Sequence, residues 1–141
     1  MRSLVLAVIA FFALTGSALA AGDPQNPPDD HAVTLSPVAL PIVARGQVVN
    51  YVFVTAKVML SPRADEFALR DKEPFFRDAL VRDAYRTPFV VATDYNRIDE
   101  GKLKAALYRD AVAIAGQGNI SGVAIVSQTA QHFVRAPHAA P

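Results

Sequence analysis

Few residues of this chain have the types and spacing that metal chemistry requires. The histidines His31, His132 and His138 are the candidate metal ligands besides carboxylates, and the chain has no cysteine. No two of them have the i, i+4 spacing that places both side chains on one side of a helix, whereas a zinc site needs three or four converging ligands. We therefore predict neither a metal site nor a cofactor.

Catalytic and phosphate-binding motifs are also missing from the sequence. No G-x-S-x-G nucleophile elbow is present. Gly116-Gln117-Gly118 lacks a third glycine and follows a helical pattern instead of opening one, which is typical of a helix C-cap. Because nothing provides a nucleophile–base pair, we predict that the protein is not an enzyme.

Two sets of residues remain as candidates for binding. The polar stretch from Asp94 to Glu100 lies at a helix start, where amide groups can hold an anion, although a simple N-cap by Asp99 is favoured. Phe75 and Phe76 are adjacent aromatics on a predicted helix, and Phe76 fits its apolar stripe. Phe75 points partly away and is a candidate partner contact, with core packing as the favoured alternative.

The N-terminus has the pattern of a secretory signal peptide over residues 1–20. Arg2 precedes an apolar run from Leu4 to Leu14, and Ala18 and Ala20 supply small residues for cleavage before Ala21. The alternative is an uncleaved anchor, but Thr15-Gly16-Ser17 interrupts the apolar stretch. We predict export to the periplasm and no stable membrane span after cleavage.

Composition limits the partners that the exported chain can have. Without the leader and its Arg2, the chain keeps 13 basic and 13 acidic residues. This balance does not support binding to nucleic acid or to an anionic membrane. An exported chain without cysteine depends on its core for stability, and about 120 residues suffice for one domain.

The first half of the mature chain predicts a tether followed by strands. Residues 21–32 contain three prolines among polar residues and predict a disordered tether. Residues 33–44 predict an edge strand or an extended segment lying on the domain, because Pro37 and Pro41 lack the N–H that an interior strand donates. After a turn at Arg45-Gly46, residues 48–60 are apolar on both faces, which predicts a central strand with Val48 on the same face as Val52.

The second half predicts helices and one closing strand. Residues 63–85 give two helical pieces, with Phe67 in the apolar stripe and Pro74 in the first turn of the second piece. A short apolar run at 89–92, a helix capped by Asp99 that runs to about Ala115, a strand at 120–134 and a frayed tail at 135–141 follow. The order predicts a single α+β domain over 33–134, a small mostly antiparallel sheet with helices packed on one face.

Several segments together resemble the periplasmic domain of the flagellar basal-body-associated FliL family. They are Leu35-Ser36-Pro37, Leu40-Pro41-Ile42-Val43, Tyr51-Val52-Phe53-Val54, the helical segment Leu69-Arg70-Asp71-Lys72-Glu73-Pro74-Phe75-Phe76-Arg77-Asp78-Ala79-Leu80 and the late strand Gly122-Val123-Ala124-Ile125-Val126. The resemblance covers residues 33–134 and implies a stomatin/prohibitin-like fold without catalytic residues. Members of that family keep an N-terminal transmembrane helix, whereas this chain carries what looks like a removable leader.

Compartment and resemblance together predict a non-enzymatic, FliL-like interaction module of the periplasm. Its expected partner is an envelope or flagellar-motor protein, or a second copy of the chain. The alternative is a secreted binding protein for a small apolar ligand. A closed apolar cavity favours the ligand carrier, whereas an exposed apolar patch or edge strand favours the interaction module.

Overall fold

A single long strand in the middle of the sheet organises the fold. The computed structural model describes residues 31–135. In chain order, its elements are β1 (Ala32–Thr34), β2 (Val38–Ala44), β3 (Gln47–Leu60), α1 (Glu66–Arg70), α2 (Glu73–Arg86), β4 (Val90–Val91), β5 (Asp94–Ile98), α3 (Glu100–Ala115) and β6 (Ile120–Ala130).

All strand pairs of the main sheet are antiparallel, and β3 takes part in each of them. β1 and β2 pair with successive halves of one side of β3, and β6 pairs with its other side. Arg45 and Gly46 form the β2–β3 turn with φ of 53° and 77°. Two positive φ values in a two-residue loop give the hairpin turn that matches the twist of the strands. The predicted turn and the central position of the long strand are confirmed.

The core lies between the helices and one face of the sheet. Five alternate residues of β3 are buried, namely Val52, Val54, Ala56, Val58 and Leu60. Phe76 and Leu80 from α2 and Leu103 and Leu107 from α3 are fully buried in the same cluster. The predicted α+β fold, a small mostly antiparallel sheet with helices on one face, is confirmed.

The helix ends follow the predicted capping signals. The Asp99 carboxylate accepts a hydrogen bond of 3.1 Å from the Lys102 backbone N–H, which satisfies a free donor of the first turn of α3. Gly116 caps the end of α3, and its positive φ of 93° is a backbone conformation that favours glycine. Pro74 lies in the first turn of α2, where its missing N–H costs no helical bond.

Two apolar side chains do not lie on their predicted faces and are exposed. A bulge interrupts the β2–β3 register between Ile42 and Val43, so that Val48 lies beyond the break and is exposed. A bulge changes which residues share a face of the sheet, and the prediction for Val48 was therefore wrong. Phe67 is exposed because α1 has only five residues and buries Leu69, two positions further on and nearly opposite on a helix.

The first strand of the sheet begins earlier than predicted. β1 begins at Ala32, a residue assigned to the tether, because Ala32 pairs with Met59 and is buried. The cleavage site at Ala21, the rest of the tether up to residue 30 and the tail after residue 135 lie outside the described residues. Within residues 31–135, no helix has both the length and the apolar character to cross a membrane.

Candidate interaction surfaces

Phe75 and Phe76 are adjacent on α2 but have opposite environments. Phe76 is 0% exposed, whereas Phe75 is 62% exposed. One helical residue turns the side chain by about 100°, and Phe76, with Ala79 and Leu80, already occupies the inward stripe. Core packing of Phe75, the favoured alternative, was therefore wrong. Its role as a partner contact remains a prediction.

Phe75 lines an open groove of about 310 Å³ between α2 and α3. The groove combines apolar and charged side chains, namely Phe75, Asp78, Ala79, Arg82, Asp110, Ala113 and Ile114. Asp78 and Arg82 form an ion pair one helical turn apart, as their spacing predicts. Such an exposed pair contributes little to stability, and the groove remains accessible.

Beside this groove, one guanidinium is shared by two carboxylates. Arg109 forms an ion pair with Asp83 across the two helices and donates hydrogen bonds of 3.0 and 3.1 Å to Oδ1 of Asp110. Oδ2 of Asp110 is buried without a hydrogen-bond partner among residues 31–135. Burial raises the pKa of Asp110, and the hydrogen bond from Arg109 opposes this shift.

Asp110→Asn is expected to change how stability depends on pH. Because the pKa of Asp110 is raised in the folded state, protonation favours folding, and the cost of the buried charge is present at neutral pH. The stability of Asp110→Asn relative to wild type should therefore be greatest near neutral pH and should fall as the pH is lowered through the titration of this carboxyl. Urea denaturation at several pH values measures this difference.

Asp78→Asn is the matched control for this prediction, because it removes an exposed carboxylate from the same groove. If the stability of Asp110→Asn relative to wild type fell as the pH rose toward neutral, burial would not be the dominant influence on the pKa of Asp110.

The edge of the sheet formed by β1 and β2 is partly blocked. Pro37 and Pro41 supply no N–H, and the backbone N–H of Ser36 donates a 2.8 Å hydrogen bond to Glu73. Glu73 also lies 3.7 Å from Arg77, in the ion pair that their i, i+4 spacing predicts. α2 also packs against β2. An incoming strand would meet few free backbone groups here.

The opposite edge, β6, is more accessible. Its eleven residues Ile120–Ala130 contain no charged residue and no proline. Among the described residues, β6 pairs with β3 alone. Val123 and Ile125 are only partly buried, and Val126 is exposed. A long edge strand without charges or prolines is the type that readily accepts a further strand.

The side of α3 away from α2 adds an apolar border to this edge. α3 packs against β6, and Ala106, Arg109 and Ala113 face the α2 side of the helix. Tyr108 lies on the other side of α3 and is 44% exposed. We call Tyr108, Val123, Ile125 and Val126 the β6 flank.

The polar stretch before α3 does not form the anion site that was considered. Asp94 to Ile98 form β5, a strand that was not predicted, and Asp99 caps α3. The groove beside it, about 520 Å³ in volume, is lined by the carboxylates of Asp94, Asp99 and Glu100 and by one arginine. Hydrogen bonds from Asn96 lower the pKa of Asp94 and favour its charged form. This negative lining disfavours an anion.

The described histidines contact residues that are distant in the sequence. His31 lies 2.9 Å from the Ser61 carbonyl oxygen and 3.4 Å from a Glu66 carboxylate oxygen, and the His132 backbone carbonyl accepts a hydrogen bond from Asn50. Residues 31–135 contain no group of three or more histidine or acidic side chains arranged to hold a metal ion. His138 lies outside this range.

Comparison with known proteins adds no family assignment. No protein-family model matches the chain, and no curated protein matches it.

Proposed function

We propose that this chain is a non-enzymatic interaction module of the periplasm, FliL-like in character, that binds an envelope or flagellar-motor protein or a second copy of itself. The observation that carries the proposal is the unpaired, uncharged edge of β6 bordered by the partly exposed apolar residues of the β6 flank. The signal-peptide pattern of residues 1–20 supports the compartment.

Strand addition is the binding mode that suits this surface. An edge strand offers backbone N–H and C=O groups to an extended partner segment, and neighbouring side chains provide apolar contact. Val123 and Ile125 lie on the partly covered core side of β6, so a partner that paired with β6 would bury them further. Binding of this type depends on backbone hydrogen bonds and apolar surface more than on charge.

The small-ligand alternative receives less support from the described residues. The grooves beside α2 and α3 are open to solvent, and each is lined by charged residues such as Asp78, Arg82 and Asp110 or Asp83, Arg86 and Arg109. A carrier for an apolar molecule encloses its ligand in a largely apolar cavity. We therefore do not propose this function.

Site-specific photocrosslinking in cells tests the interaction surface. A photoreactive phenylalanine analogue at Val126 is expected to crosslink the exported chain to a partner, whereas the same analogue at Phe67 serves as the control, since Phe67 is the more exposed and lies on α1. The yield of the Val126 crosslink should stay the same when the salt concentration is raised before irradiation, because ionic strength screens exposed charge contacts and not apolar ones. Crosslinking at Phe67 alone, or a Val126 crosslink lost at moderate salt, would contradict the proposal.

A further inference from the structure

We infer that the partner of the β6 flank is a second copy of this chain, bound by antiparallel pairing of the two β6 strands about a twofold axis. The inference rests on the proposed function and names its partner. In such a dimer, the sheets of the two copies join edge to edge at β6 and leave β1 and β2 at the outer edges.

The first argument is that the β6 edge is compatible with itself. A twofold interface brings the same surface of both copies together, so any charge near the axis meets an identical charge. β6 has no charged residue from Ile120 to Ala130, and its exposed side chains are small or apolar, including Ser121, Val126 and Ser127. Self-pairing therefore meets no repulsion along the strand.

The second argument comes from the regularity of the middle of β6. The β3–β6 register is interrupted near Ser121 and near Val126, whereas Gly122 to Ile125 pair without interruption with Met59 to Ala56. Antiparallel pairing centred on Ala124 sets Val123 of each copy opposite Ile125 of the other. Both side chains lie on the helix-covered face and are partly buried, so the pairing would extend the core across the axis.

The third argument is that the assembly closes after two copies. If β6 of one copy paired with the β1–β2 edge of the next, the contact would repeat and give an open filament. Pro37, Pro41 and the Ser36–Glu73 hydrogen bond obstruct that edge, and α2 packs beside it. The β1–β2 edge is thus obstructed and the β6 edge is open, as expected if β6 pairs only with β6 of a second copy.

Disulfide trapping tests the register directly, because the chain has no cysteine of its own. In purified protein, Ala124→Cys is expected to give a disulfide-linked dimer under mild oxidation, since directly opposed residues of paired strands have Cβ atoms close enough for a disulfide. Ala39→Cys is the matched control. Ala39 is an exposed alanine on β2, at the opposite edge, and should remain monomeric under the same conditions.

A non-covalent measurement accompanies the trapping experiment. Light scattering of the wild-type protein at high micromolar concentration should give a dimer mass. Val126→Lys should raise the dissociation constant roughly tenfold or more, because a lysine on an edge strand opposes pairing with a further strand. Val126 is exposed, so the variant should retain the wild-type circular dichroism spectrum.

The outcomes separate this inference from the proposed function. A monomeric wild type together with equal trapping of Ala124→Cys and Ala39→Cys would overturn self-pairing. If photocrosslinking at Val126 still captured a different protein, the interaction function would stand with another partner. If Val126 captured nothing and the wild type were monomeric, both would fail.

Discussion

Phe76→Asp is expected to destabilise the domain by roughly 3 kcal/mol or more. Phe76 is 0% exposed and lies in the core cluster between α2 and the sheet. The substitution removes an aromatic ring from a close-packed site and puts a carboxylate there. Urea denaturation followed by circular dichroism measures the loss of unfolding free energy.

Phe75→Asp is the matched control, since it makes the same change one residue earlier on the same helix. Phe75 is 62% exposed, so the expected loss is about 0.5 kcal/mol or less. If both variants lost the same amount, or if Phe76→Asp unfolded with wild-type stability, the assignment of the inward face of α2 would be wrong.

The elements that could be predicted from sequence are those with local signals. The β-branched and aromatic residues of β3, the proline at the start of α2 and the aspartate and glycine that bound α3 each act within a few residues of their own position. Their effect does not depend on what packs nearby. The α+β architecture then follows from the order of these elements.

The faces of residues near bulges could not be predicted in the same way. Strict alternation placed Val48 on the same face of β3 as Val52, and it placed Ser127 on the same face of β6 as Val123 and Ile125. In the structure, the break near Val126 changes the phase, so that Gln128 pairs with Val54 of β3, a buried residue. A bulge depends on how two strands fit each other, which a single strand's sequence does not encode strongly.

The sequence indicated the kind of surface that we propose for binding, but not its place in the fold. Prolines in residues 33–44 correctly indicated an edge strand, a type of surface that favours an interaction module. The accessibility of that edge is decided by distant residues, because Glu73 on α2 occupies the Ser36 N–H. The uncharged composition of β6 was visible in the sequence, whereas its position at the other edge follows from the pairing with β3.

β5 was missed because tertiary contacts stabilise it more than its own composition does. Its sequence, Asp94-Tyr95-Asn96-Arg97-Ile98, has few of the residues favoured in strands. Asn96 exchanges hydrogen bonds of 2.7 Å with the backbone of Val134, and Asn50 of β3 donates to the Tyr95 carbonyl. The hydrogen bonds of these two asparagines connect β5 to β3 and to the segment after β6.

Asn50 is the single buried polar side chain in the described core, with 4% exposure. Its amide nitrogen donates to the carbonyl oxygens of Tyr95 at 3.0 Å and His132 at 2.8 Å, and its oxygen accepts from the Tyr51 N–H at 2.9 Å. One side chain therefore satisfies three backbone groups from separate parts of the chain. An apolar residue at this position would leave all three without their partner.

Asn50→Asp is expected to cost roughly 3 kcal/mol at neutral pH, because both amide donors are lost and a carboxylate faces two carbonyl oxygens. Lowering the pH should reduce the loss, since a protonated carboxyl regains one donor and burial favours the neutral form. Urea denaturation at neutral and at mildly acidic pH measures both effects. Asn119→Asp is the control, because the Asn119 amide donates to the carbonyl oxygen of Ala115 and the residue is less buried, so a smaller loss is expected there. Wild-type stability of Asn50→Asp at neutral pH would show that Asn50 does not connect β3, β5 and the end of β6 as described.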